Sequence, residues 1–138
     1  MKDSNCIFCK IANGEIPTNT LYEDDKFRVI FDVSPASKGH ALILPKEHYA
    51  NVFELGDEEA KGVFVVAKKV AKALKEVTGC EGFNILQNNG EIAGQTVFHF
   101  HTHLIPRYTD DGVKITWNHG EPSNEELAQL AEKIKAVL

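Results

Sequence analysis

No run of apolar residues in this 138-residue chain approaches the length that a bilayer-spanning helix needs. Met1-Lys2-Asp3-Ser4-Asn5 leads into no apolar segment of the kind that opens a secretory leader. The expected compartment is therefore the cytoplasm, with no membrane partner. A cationic surplus is missing as well, since 15 lysines and arginines stand against 20 acidic residues and leave a net charge of -5. A nucleic-acid polymer is held mainly by a positive surface, so such a polymer is not an expected partner. A local pocket for a single nucleotide is compatible with that charge. Cysteines number only three, an odd count that fits metal ligation or free thiols better than a secreted disulfide framework.

What is present is ordinary globular material: 43% apolar and 25% charged residues, in a length that suits one domain over residues 1–138. Three of the six histidines then fall in one short stretch, His99-Phe100-His101-Thr102-His103-Leu104-Ile105. Alternation of this kind has the period of a strand, so His99, His101 and His103 share one face and Phe100, Thr102 and Leu104 take the other. Pro106 is expected to end that strand. A single zinc ion on all three imidazoles is excluded by reach. Neighbours on one face stand roughly 6.6 Å apart and the outer pair about 13 Å, whereas each ring nitrogen must come within about 2.1 Å of the ion. Two adjacent members could share an ion. Otherwise the imidazoles have separate tasks, which suits chemistry at phosphorus: a nucleophile, a proton donor and an orienting neighbour.

The rest of the chain supplies a frame for that strand. Cys6-Ile7-Phe8-Cys9 is a C-x-x-C pair that serves as a redox dithiol, as simple packing, or as half of a zinc knuckle needing two further ligands. Leu21–Glu23 and Lys26–Asp32 flank Asp24-Asp25 as a hairpin, with Phe27, Val29 and Phe31 on one face. His40 to Pro45 reads as another strand, closed by its proline, and His48 follows in a loop. From Asp57 to Thr78 the period becomes helical. Ala60, Val63, Phe64, Ala67, Val70, Ala71, Leu74 and Val77 form the stripe, Asp57 is the expected N-cap and Gly79 the stop. Lysines 61, 68, 69, 72 and 75 lie mostly off the stripe, on a solvated face. Phe83–Gln87 resumes strand alternation. Asn88 to Thr96 is a polar, glycine-bearing loop that can turn N–H groups toward an anion. Residues 108–122 have no clear pattern. Ser123-x-x-Glu126 is a capping box that opens an amphipathic helix over about 123–138, carried by Leu127, Leu130, Ala131 and Ile134.

From Gly94 to Ile105 the chain resembles the histidine triad (HIT) family, whose signature alternates histidine with apolar residues. Thr102 is the one departure. Tyr22-Glu23-Asp24, the Asp32–Pro45 stretch and Asn88-Asn89-Gly90 resemble the family too. The resemblance implies an α+β, HIT-like fold: a five-stranded antiparallel sheet with one long helix, in a two-fold homodimer acting on purine nucleotides. It implies His101 as a nucleophile at the α-phosphorus, with His99 and His103 as the other catalytic members. It assigns substrate contacts to Asp32, His40, Asn88, Gln95, Thr96 and His103. It also implies an N-terminal zinc knuckle region over 1–20, with one structural zinc per chain on Cys6, Cys9, His48 and His99. The expected activity is nucleoside phosphoramidate hydrolysis. Alternatives are a dinucleoside polyphosphate hydrolase, a zinc-stabilised binding module without turnover, and a metallohydrolase with zinc on two strand histidines.

Overall fold

A computed structural model describes residues 1–138. Its centre is β3, Ala41–Pro45, every residue of which is buried. A strand buried on both faces reads as an unbroken apolar run, which is what Ala41-Leu42-Ile43-Leu44 supplies. Around it stand β1 (Thr20–Glu23), β2 (Phe27–Phe31), β4 (Gly82–Gln87) and β5 (Thr102–Arg107). All pairings are antiparallel, and the order across the sheet is β1-β2-β3-β5-β4. The hairpin expected around Asp24-Asp25 is there, tied by the Asp24 carboxylate accepting the N–H groups of Lys26 and Phe27 at 2.8 Å each.

Each face of the sheet has its own cover. The long helix α2, Asp57–Thr78, lies on the face of Phe27, Val29, Ala41, Ile43 and Leu104. Its first residue is Asp57, but the capping position belongs to Gly56, which makes no side-chain cap bond. Asp57, Glu58 and Glu59 instead place negative charge in the first turn, against the positive end of the dipole. Gly79 closes the helix at φ 67°, the left-handed conformation that glycine enters without a Cβ penalty. The buried stripe is Glu59, Val63, Val66, Ala67, Val70 and Leu74. It differs from the expected one, for Phe64 is 65% exposed and Val77 84%. Both lie within the wide apolar arc of the sequence, and docking on the sheet selects only part of that arc.

The opposite face is covered by a helix that the sequence reading did not contain, α1 at Ile7–Ala12. Six residues are too few to announce themselves by periodicity. Cys6 caps it, its Sγ accepting the Cys9 N–H at 3.4 Å. Ile11 and Ala12 pack against Ile30, Leu42 and Leu44. The C-terminal helix α3, Asn124–Lys135, forms with the predicted cap, Ser123 Oγ accepting the Glu126 N–H. None of its residues is buried. No helix is long and apolar enough to cross a membrane.

Candidate active site

Regular strand geometry begins only at Thr102, so His99 and His101 precede β5 instead of lying within it. The segment is held by Phe100, which buries its ring in the α2-side core and donates its N–H to the Tyr49 carbonyl at 2.6 Å. Alternation survives this. Phe100 and Leu104 point toward α2, while the three imidazoles stand on the α1 side. Pro106 does not end the strand either, because β5 continues to Arg107 with Pro106 opposite Phe83. Past Leu104 β3 no longer accompanies β5, so the missing N–H interrupts no ladder on that side.

The backbone decides which nitrogen of each ring carries the proton. Nδ1 of His101 stands 2.7 Å from the His99 carbonyl. A carbonyl can only accept, so Nδ1 is the N–H and Nε2 keeps its lone pair. At His40 the logic runs the other way. Its Nδ1 accepts the Ala36 N–H at 2.9 Å, which leaves the proton on Nε2, and that N–H donates to Nδ1 of His103 at 2.9 Å. His103 therefore carries its own proton on Nε2. The rings of His101 and His103 are 5.0 Å apart, so a bare nitrogen and an N–H stand side by side.

Both line a cleft of about 330 Å³. Burial holds the protonation equilibria of all three rings below the ordinary histidine value. For His103 it is pushed to about 4, by burial first and then by repulsion from His101 and His40. For His40 and His101 burial is again the main cause, opposed at His40 by the negative charge of Asp32 and at His101 by the His99 carbonyl and then by Asp32. At neutral pH these imidazoles are uncharged, as nucleophilic use of one of them requires.

Asp32 and Thr96 share the cleft with His101 and His103. Asp32 is set at the mouth of the β2–β3 connection, its N–H donating to the His40 carbonyl at 2.9 Å and its Oδ1 accepting the Ser34 N–H at 2.8 Å. Gly39 makes that connection possible. Its φ is 89°, and a Cβ there would come 3.2 Å from the Pro106 ring. Gln95 is placed differently. It is 1% exposed, accepts the Gly90 N–H at 2.8 Å, and donates to the carbonyls of Ala50 and Val97 at 2.6 and 3.2 Å. It ties the loop together from inside. Asn88 stands behind the same loop, against Gly94. The backbone N–H groups from Thr96 to His99 make no hydrogen bond within the chain, which leaves donors for an anion beside His101.

His99 turns away from the cleft. Its Nε2–H donates to the Pro45 carbonyl at 2.9 Å, and Nδ1 faces Cys6 Sγ at 3.5 Å and Cys9 Sγ at 3.4 Å. His48 Nδ1 lies 3.4 Å from Cys9 Sγ, and the four donor atoms all fall within 4.8 Å of one another. Tetrahedral zinc with ordinary Zn–S and Zn–N bonds has S-to-N edges of about 3.6 Å. These donors fit that ion, and the His99 N–H on a carbonyl is the outer support that metal-bound histidines usually have. Asp32, His40 and His103 also gather three donor atoms, but the two rings are joined directly by their hydrogen bond.

The sequence does not single out Phe8, which sits inside C-x-x-C. Its ring meets both His99 and His101 edge-on, with centroids 6.1 and 5.1 Å away. It stands as a wedge between the Cys₂His₂ cluster and the cleft. The available signal was the i, i+3 apolar pair Phe8 and Ile11, both of which line the cleft.

Fold and site together define an α+β protein with a histidine-lined cleft backed by a Cys₂His₂ cluster. A family model described as HIT domain matches residues 13–110, and the chain belongs to the HIT, or histidine triad, family. It is 44% identical over 135 residues to the adenosine 5'-monophosphoramidase hnt1 of Schizosaccharomyces pombe, covering 97% of this chain and 98% of that one. A crystal structure of a HIT-family member from Bacillus subtilis matches with a TM-score of 0.93 and 43% identity over 98% of each chain. A Zn-bound histidine triad family protein from Mycobacterium smegmatis matches with a TM-score of 0.73 and 34% identity, over 94% of this chain and 97% of that one.

Proposed function

We propose that this HIT-family nucleotide hydrolase cleaves purine nucleoside phosphoramidates through a covalent nucleotidyl-histidine. The observation that carries the reading is the His99 carbonyl on Nδ1 of His101, which leaves a bare Nε2 at the cleft. In this scheme Nε2 attacks the α-phosphorus as the P–N bond breaks, its electron pair leaving on a nitrogen that takes a proton from solvent and departs as the neutral amine; water then attacks the same phosphorus, the P–Nε2 bond breaks, and the nucleoside monophosphate and free imidazole are released as the water's proton passes to solvent. His103 offers its Nε2–H to a phosphoryl oxygen, and His40 holds it in that tautomer. N–H groups of residues 96–99 with the Thr96 hydroxyl take the charge that develops there. Asp32 accepts from the ribose hydroxyls. Gln95 and Asn88 serve the phosphate by shaping the loop. The S. pombe relative, a monophosphoramidase, supports the choice of leaving group.

Cys6, Cys9, His48 and His99 would hold one zinc ion, whose chemistry there is structural: a closed four-ligand site that ties α1 and the loop after β3 to the catalytic segment. Four protein ligands would leave that ion no open position for substrate or water.

Turnover of an adenosine phosphoramidate is expected to exceed that of a diadenosine polyphosphate on the same preparation by about tenfold or more, a difference of some 1.4 kcal/mol in barrier. The reverse order would select the dinucleoside polyphosphate reading. Turnover of neither would leave a binding module.

A symmetric homodimer belongs to the same proposal. β4 is an outer strand whose Ile85 is 41% exposed, and Phe64 of α2 lies beside it in a hollow with Phe83 that Lys68, Lys72 and Lys75 also line. An open edge next to an exposed aromatic ring is a surface that proteins cover. Sedimentation in dilute solution should give the mass of two chains, and a fully active monomer would remove the dimer from this account.

A further inference from the structure

Beyond Leu104 the last residues of β5 have lost β3 as a neighbour, and the turn Ser37-Lys38-Gly39-His40 lies against Pro106 in its place. The His40 N–H closes that turn on the Ser37 carbonyl at 3.1 Å, with Gly39 in the third position, where a positive φ is required. Two hydroxyls then fasten the turn to the end of β5. Ser37 Oγ donates to the Pro106 carbonyl at 2.5 Å, and the Tyr108 hydroxyl donates to the Lys38 carbonyl at 2.7 Å. Neither side chain lines the histidine cleft.

Tyr108 is itself held. The Asp111 carboxylate accepts the Tyr108 N–H at 2.9 Å, Nε–H of Arg107 at 2.8 Å and the Val113 N–H at 3.0 Å. The segment just after β5, which shows no period in the sequence, is thus a turn built on one carboxylate, and it aims a phenol at the β2–β3 connection.

What the fastening holds in place is a backbone N–H. Ala36 directly precedes Ser37, and its N–H donates to Nδ1 of His40 at 2.9 Å. Nε2 of His40 and Nδ1 of His103, 2.9 Å apart, have one proton between them. The Asp32 carboxylate is 3.6 Å from Nε2 of His40, beyond hydrogen-bond range, so the Ala36 N–H is the contact that decides on which side this proton sits. With it, His40 donates and His103 keeps its own N–H at Nε2. Without it the reverse pair is open: His40 protonated at Nδ1, His103 donating from Nδ1, and a bare Nε2 left on His103.

We propose that Ser37 and Tyr108 are positioning residues, whose hydroxyls pin the turn so that the Ala36 N–H fixes the His40–His103 pair in the tautomer that offers an N–H to the phosphoryl group. For its catalytic consequence this inference rests on the nucleotide reading above. Neither hydroxyl touches substrate; both act through His40. A donor set before the reaction costs no reorganisation as charge develops on phosphorus-bound oxygen, so the benefit falls on kcat.

The test is the double variant Ser37→Ala/Tyr108→Phe of the full chain, isotope-labelled and studied at neutral pH, where imidazole nitrogen NMR shifts separate a protonated from a bare ring nitrogen. In the nucleotide-free parent His40 and His103 should each be protonated at Nε2 alone. In the double variant both should shift toward the Nδ1–H form. kcat for an adenosine phosphoramidate should fall about 10-fold, short of the 10²- to 10³-fold that outright removal of such a donor costs. KM should stay within about twofold, as loss of a transition-state contact requires. Ser37→Thr, which keeps the hydroxyl, should retain the parent tautomers and rate. In a His103→Ala background the double substitution should change kcat by less than about twofold, because the group it positions is gone.

Parent-like tautomers in the double variant overturn the proposal, as does an undiminished loss of kcat in the His103→Ala background, which would mark a general loosening of the turn. If the double variant fails to fold, Tyr108→Phe alone is read in the same way, with a smaller shift expected and parent-like tautomers again overturning the proposal. A parent that turns over no phosphoramidate would strike the nucleotide reading, and the catalytic role with it. That failure is read in turnover, whereas failure of the pinning is read in the tautomers of the nucleotide-free protein.

Discussion

Replacement of His101 by alanine is expected to lower turnover of an adenosine phosphoramidate by about three orders of magnitude or more, with AMP binding and folding largely retained. A nucleophile stabilises the transition state far more than the bound ground state, so the loss falls on kcat. His101 is suited to the role because burial keeps it uncharged and the His99 carbonyl at 2.7 Å directs its bare nitrogen away from Nδ1. His103→Ala should be milder, since it removes one N–H from an array of donors. Rapid quenching with labelled substrate should trap the nucleotidyl group on nitrogen at residue 101. Two in-line displacements, each inverting phosphorus, give net retention. A His101→Ala protein that keeps most of its rate, or net inversion, would mean that water attacks directly and that the covalent step is wrong.

The second large effect concerns stability. Protein purified without added metal should carry about one zinc per chain by elemental analysis, and Cys9→Ser should lose it. Four ligands drawn from residues 6, 9, 48 and 99 join α1, the loop after β3 and the catalytic segment. Metal binding to such a set contributes directly to folding free energy. Loss of the ion should lower the unfolding midpoint by about 10 °C or more, since each kcal/mol moves it by several degrees in a domain of this size. Turnover should fall in parallel, because Phe8 carries any displacement of α1 to the ring of His101. This phenotype differs from that of His101→Ala, which leaves the midpoint nearly alone. A metal-free protein of equal stability would sink the zinc assignment.

Gln95 and α1 illustrate how much of the site a one-dimensional reading could not reach. Position in the motif matched Gln95 to a phosphate contact, yet in the fold its amide is occupied by Gly90, Ala50 and Val97. Two of those partners lie in its own loop, but Ala50 is 45 residues away, and no local pattern announces it. The C-x-x-C pair was legible as a pair, and three uses remained open. The α1 helix, capped by Cys6 and running through Cys9, was not legible, because a six-residue helix draws its stability from packing on Ile30, Leu42 and Leu44.

Local covalent order alone determined the histidine alternation, the all-apolar run of β3, the span and stop of α2, and the Ser123 cap of α3. Each depends on side-chain period or on a residue's own backbone preference, and both act within a few positions along the chain. Tertiary structure decided the rest. Which part of the α2 arc became core was settled by docking, because an arc that wide accommodates more than one rotation. The Cys₂His₂ cluster exists because two sheet neighbours and a helix bring together ligands up to 93 positions apart. The tautomers of His101 and His103 were decided by the partners that face their ring nitrogens, the His99 carbonyl for one and His40 for the other. A histidine in a sequence carries no preference between its two nitrogens; only a fixed neighbour, held by the fold, chooses one.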